Sequence, residues 1–154
     1  MTRHNSRASA SNARLLTEIV LLVFRVNGRL LSAGDRLVAD LGLTSARWQM
    51  LGAVALSDRP ATAPQLAARM GMTRQAAQKQ LDLLLDDGLV AAEANPGHAR
   101  SPLYVLTRKG TSVYAATERV QMAWANRMAG SLAIRDLETT RQLLDDLSNR
   151  LNLS

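Results

Sequence analysis

No cysteine occurs among the 154 residues. Disulfides, thiolate zinc sites, iron–sulfur clusters and thiol-based peroxide sensing are therefore excluded. Aromatic residues make up only 3% of the chain. Alanine and leucine dominate instead, and both form helices better than strands, so a β-sandwich is disfavoured. No apolar run approaches about 18 residues, so no membrane-crossing helix is expected. The opening MTRHNSRASASNAR lacks the apolar middle of a secretory signal. A cytoplasmic protein is the expectation.

What the chain does hold is apolar bulk and positive charge. Hydrophobic residues make up 47% and the formal net charge is +6. The first figure supports a buried core and argues against a disordered chain. The second suits an anionic partner, either nucleic acid or a membrane surface, although basic charge also serves plain solubility. The length fits one domain, with or without appended helices.

Residues 1–12 are rich in Ser, Asn and Arg and have no apolar period, so they read as a flexible basic arm. From 13 to 41 the apolar residues Leu15, Leu16, Ile19, Leu22, Val23, Val26 and Leu30 recur at helical spacing. Gly28 and Gly34 weaken or bend that helix. A second helix opens at Thr44, a good N-cap, with Leu43 and Trp48 at the spacing of a hydrophobic staple. SDRPA (57–61) is a turn. A short third helix follows, with Thr62 and Gln65 at capping-box spacing, Pro64 in its first turn and a stop at Gly71. Thr73 then caps a fourth helix that ends at Gly88. LVAAEA (89–94) and PLYVLT (102–107) read as short strands around the turn-rich NPGHARS. Thr107 caps a helix through Val113, Val120, Trp124 and Met128. A last helix carries Leu137, Leu144, Leu147 and Leu151 on one side.

The fourth helix divides its residues between two tasks. Ala77, Leu81, Leu84 and Gly88 fall on one face and can pack on the preceding helices. Arg74, Gln75, Gln78, Lys79 and Asp82 fall away from it. Two helices joined by a tight glycine-containing turn form a helix-turn-helix, and the two strands add a wing. Major-groove reading needs such a division. One helix enters N-terminal end first, Arg and Lys suit guanine or phosphate, Gln suits adenine, and the small Ala76 permits close approach to a thymine methyl. A merely solvated polar face is the alternative.

The segment from Leu43 to Gly110 resembles the winged helix-turn-helix of the MarR family of bacterial transcriptional regulators. LTSARWQMLGAV, TAPQLAARMGMTRQAAQKQLDLLLDDGLV and NPGHARSPLYVLTRKG carry the likeness by their order and spacing. The resemblance implies a mainly α fold with a small β-hairpin wing, in which a DNA-binding lobe (42–110) is flanked by N-terminal (13–41) and C-terminal (111–154) dimerisation helices. It implies a homodimer on a palindromic operator in double-stranded DNA. Carried over by position, Arg74, Gln75, Ala76, Gln78 and Lys79 occupy recognition-helix sites after the cap Thr73, and Gln65 lies near the phosphate backbone. Many relatives have Asp-x-Arg-Arg in the wing. Here the stretch is Gly97-His98-Ala99-Arg100, so Arg100 matches an arginine that enters the minor groove, while the supporting aspartate and one arginine are missing. His98 at the loop tip is solvated or faces phosphate.

The resemblance also implies a small anionic aromatic effector. Phe24, Arg25, Arg29 and Trp48 are its candidate pocket, with Tyr114 and Trp124 on later helices; ordinary packing is the competing role for the aromatics. No metal or cofactor is expected, since His98 has no nearby second ligand. No phosphate-binding Gly-rich motif, H-E-x-x-H or G-x-S-x-G occurs, so no enzyme is expected. The competing function is a winged-helix protein-interaction module without DNA binding. The basic start of the fourth helix favours the regulator.

Overall fold

The computed structural model describes the backbone of residues 2–152 and the side chains of residues 11–151. Helix α1 (Thr2–Val38) leads through a 3-10 turn (Ala39–Leu41) to α2 (Ser45–Ala55), α3 (Ala63–Met70) and α4 (Arg74–Asp86). Strands β1 (Val90–Glu93) and β2 (Leu103–Leu106) follow, and then α5 (Arg108–Ala129) and α6 (Ile134–Asn152). Residues 1–118 and 119–154 form two compact units. Among the described residues no helix is long and apolar enough to cross a membrane.

Helical backbone starts at Thr2, eleven positions before the periodic stretch expected from 13 onward. An aperiodic segment can still hold helical hydrogen bonds when alanine and arginine supply the propensity. The side chains of Arg3 and Arg7 lie outside the described residues.

The helix ends follow from local chemistry. The Thr44 hydroxyl accepts from the Arg47 N–H at 3.3 Å, and the Thr73 hydroxyl accepts from the Ala76 N–H at 3.1 Å. The Thr62 N–H donates to Gln65 Oε1 at 2.9 Å, the return arm of a capping box. Gly42, Gly71 and Gly88 take positive φ of 70, 60 and 67°, and each directly follows a helical segment or its cap. Such left-handed stops favour glycine because other residues carry a Cβ penalty there.

The core of the first unit lies among α2, α3, α4 and the hairpin. Met50, Leu51, Leu66, Leu81 and Leu84 are fully buried, with Val38 from the end of α1 beside them. Antiparallel pairing sets Val90 opposite Leu106 and Glu93 opposite Leu103. Tyr104 also bridges to Ala61, its N–H donating to the Ala61 carbonyl at 2.9 Å. The turn before α3 is thereby tied to the wing strand.

The two glycines of α1 differ in their surroundings. A Cβ on Gly34 would lie 2.6 Å from Ser45 Oγ, so α1 and α2 cross closely there. Asp35 Oδ1 accepts from the Ser45 N–H at 2.6 Å at the same crossing. Gly28 has no atom within 4 Å of its absent Cβ.

Candidate nucleic-acid interface

Helix α4 shows the division expected of it, except that Gly88 is exposed, because it lies past the C-cap in a left-handed stop and not on the packing face. Ala77, Leu81 and Leu84 are fully buried, while Arg74, Gln75, Ala76 and Lys79 are exposed. Burying the two leucines contributes about 1.5–3 kcal/mol each, and this holds the helix on the lobe. Among the described residues, none forms a hydrogen bond or ion pair with the side chains of Arg74, Gln75 or Lys79. Two cations and one amide therefore stand solvated at the N-terminal part of α4, where helix dipole and exposed N–H groups already favour an anion.

The far end of α4 is clamped. The Arg47 guanidinium on α2 pairs with the Asp87 carboxylate and also donates to the Gly42 carbonyl at 2.8 Å. The Lys109 ammonium donates to the Asp87 carbonyl at 2.7 Å, satisfying an acceptor past the last turn. One end of the helix is fixed to the scaffold by charge, and the other presents charge to solvent.

Gln78 differs from its neighbours. Its Nε2 donates to Asp82 Oδ1 at 2.8 Å and to the Tyr104 hydroxyl at 3.0 Å. Both amide hydrogens are engaged, so the two-point adenine contact available to a free glutamine is closed to it. Gln65 lies on α3 with its Oε1 held by the Thr62 N–H and hydroxyl, and the Thr73 hydroxyl is held by its cap. These two side chains set the starts of α3 and α4.

The wing tip is fastened from within. Asn95 Nδ2 donates to the Ser101 carbonyl at 2.8 Å, and Asn95 Oδ1 accepts from the Gly97 N–H at 3.1 Å. The His98 N–H donates to the Asn95 carbonyl at 3.1 Å, and the Ser101 N–H to the His98 carbonyl at 2.9 Å. Both His98 and Arg100 are exposed on this closed loop. Asn95 and Tyr104 were not singled out in the sequence, although an Asn beside Pro-Gly is a turn-closing signal.

The four candidate effector residues lie on α1 and α2. Phe24, Arg25 and Arg29 are exposed on α1. Trp48 is half-buried against the core, with a ring carbon 3.6 Å from where a Gly34 Cβ would stand. A cleft of about 260 Å³ opens between the 57–60 turn and β2, and none of the four lines it. Tyr114 packs beside Gly52, and its phenol is pushed above its ordinary value by burial and then by the neighbouring Glu118.

The sequence profile of the MarR family matches residues 41–101, from the end of α1's 3-10 turn to the wing tip. An uncharacterized protein of Mycobacterium tuberculosis is 39% identical over 129 residues, covering 84% of this chain and 89% of that protein. The chain belongs to the MarR family. A solved MarR family transcription regulator superposes with a TM-score of 0.78 at 26% identity, covering 94% of this chain and 95% of its own. A mutant MarR from E. coli complexed with operator DNA superposes at 0.76 and 20% identity, covering 86% and 94%. The winged-helix architecture of the family is thus the architecture found here.

Proposed function

We propose that this MarR-family protein is a homodimeric, sequence-specific DNA-binding transcriptional regulator, acting as a repressor on a palindromic operator. The observation that carries the reading is the exposed, unpaired trio Arg74, Gln75 and Lys79 on a helix whose opposite face is buried. Each copy would seat α4 in a major groove, with Arg100 on the wing reaching the flanking minor groove. A net charge of +6 supports phosphate neutralisation. The DNA-bound structure of a fold relative supports the docking mode.

The dimer rests on uncovered apolar surface. Leu15, Leu21, Leu22, Phe24 and Val26 on α1, and Ile134 on α6, are between 47 and 74% exposed in a single chain. Exposed apolar helix faces of this kind mark an interface. Two half-sites one helical turn apart match a two-fold protein, and occupancy would block transcription sterically. A small anionic aromatic effector would meet the Arg25 and Arg29 guanidiniums beside Phe24 on α1, with Trp48 on α2.

Selection of random duplex DNA by the purified protein at two salt concentrations, followed by sequencing, tests the reading. A pseudo-palindrome with one-turn half-site spacing is the expected result. Sequence-blind, salt-sensitive binding would contradict specific regulation. No binding at either salt would favour a protein-interaction module.

A further inference from the structure

Arg74, Gln78 and Asp82 stand in one row along α4 at successive four-residue steps. Only the middle one is tied to the wing. Tyr104 on β2 is 3% exposed, and its backbone is held from both sides, by pairing with Ala92 of β1 and by the bridge to Ala61. Its hydroxyl is therefore a fixed post. Gln78 Nε2 reaches that post at 3.0 Å and the Asp82 carboxylate at 2.8 Å. The orientation of the amide follows from chemistry. A carboxylate accepts only, so the nitrogen and not the oxygen of Gln78 must face it. Among the described residues none donates to Gln78 Oε1.

We propose that Tyr104 and Asp82 are positioning residues that make Gln78 a one-sided reader of bases. With both hydrogens engaged, Gln78 offers a base only an acceptor. In the major groove that acceptor matches the exocyclic amine of cytosine or adenine and repels the keto oxygens of guanine and thymine. The pocket of specificity is amine against keto, and adenine is not preferred over cytosine. A free glutamine would select adenine alone, because it could also donate to N7. The inference rests on the DNA-reading role proposed above and specifies what one residue reads.

The test is the same random-duplex selection, run on the full-length wild type, Gln78→Leu, Asp82→Ala and Tyr104→Phe. Gln78→Leu locates the position that this residue reads in each half-site. There the wild type is expected to accept cytosine and adenine about equally. Asp82→Ala lies on the exposed face, frees one hydrogen without touching the core, and is expected to sharpen the choice to adenine by about tenfold. Tyr104→Phe is expected to move the same position in the same direction, and Asp82→Ala carries the test should the buried substitution fail to fold. Strict adenine selection by the wild type, unchanged in Asp82→Ala, would overturn the inference and leave the regulator standing. So would a Gln78→Leu profile identical to that of the wild type. A wild type that enriches no sequence would overturn the DNA-reading role itself, and the inference with it.

Discussion

A Cβ on Gly110 would lie 1.9 Å from the carbonyl oxygen of Leu89. The first turn of α5 therefore rests directly on the backbone that joins α4 to β1. Thr107 completes the seat: its N–H donates to the Leu89 carbonyl at 3.1 Å and its hydroxyl to the Gly88 carbonyl at 2.7 Å. The Gly110 N–H in turn donates to the Thr107 hydroxyl at 3.0 Å. Backbone cannot yield as a flexible side chain can. Gly110→Ala is expected to destabilise the protein by about 3 kcal/mol or more, read as a lower urea midpoint. A midpoint equal to wild type would show that α5 can lift off this seat without cost.

The two glycines of α1 are expected to respond with opposite signs. Gly34→Ala drives a methyl into Ser45 Oγ and disturbs the Asp35–Ser45 contact, at a cost of about 1–3 kcal/mol. Gly28 stands in open space in a helix interior, so Gly28→Ala should stabilise by about 0.5–1 kcal/mol. Thermal melts of both variants decide the pair. A loss at Gly28 would place a partner's atoms against it.

Local signals were legible in the sequence, and distant pairs were not. Thr44, Thr73 and Thr107 cap as their positions imply, because a cap needs only three or four neighbouring residues. The strands lie inside their expected spans because Pro-Gly and the apolar runs bound them. The sidedness of α4 followed from its period. The Gln78–Tyr104 bond crosses 26 positions and the Arg47–Asp87 pair 40, and no local pattern links either. The close approach of Gly110 to the Leu89 carbonyl leaves no trace in local composition either. The first turns of α1 carry no apolar period, so the pattern that marks the rest of the helix does not reach them.

The apolar face of α1 supplies a discriminating charge substitution. Leu21 is 59% exposed in a single chain, so Leu21→Glu should leave the fold of one chain intact. Under the proposed dimer it places a carboxylate in an apolar interface. Sedimentation is expected to show conversion from dimer to monomer, together with weakened operator binding. A variant that still sediments as a dimer would remove α1 from the interface.

Arg74 opens the first turn of α4, and the N-terminal residues of a recognition helix contact base edges. Arg74→Ala is expected to relax preference at one position of each half-site and to cost about 1–3 kcal/mol. The check is the ratio of affinities for the operator and for single-base variants. Uniform weakening across all of them would reassign Arg74 to phosphate.

Arg100 should behave in the opposite way. It sits on a loop that Asn95 closes through the Ser101 carbonyl and the Gly97 N–H, so its place does not depend on the aspartate that this wing lacks. A guanidinium in a narrow minor groove responds to negative potential more than to base identity. Arg100→Ala is therefore expected to weaken operator and random DNA by similar factors. It should also reduce the slope of log affinity against log salt by about one. Asn95→Ala is expected to do the same by loosening the loop, although it removes no charge. An Arg100→Ala slope equal to wild type would mean that the wing stands clear of the DNA and that α4 binds alone.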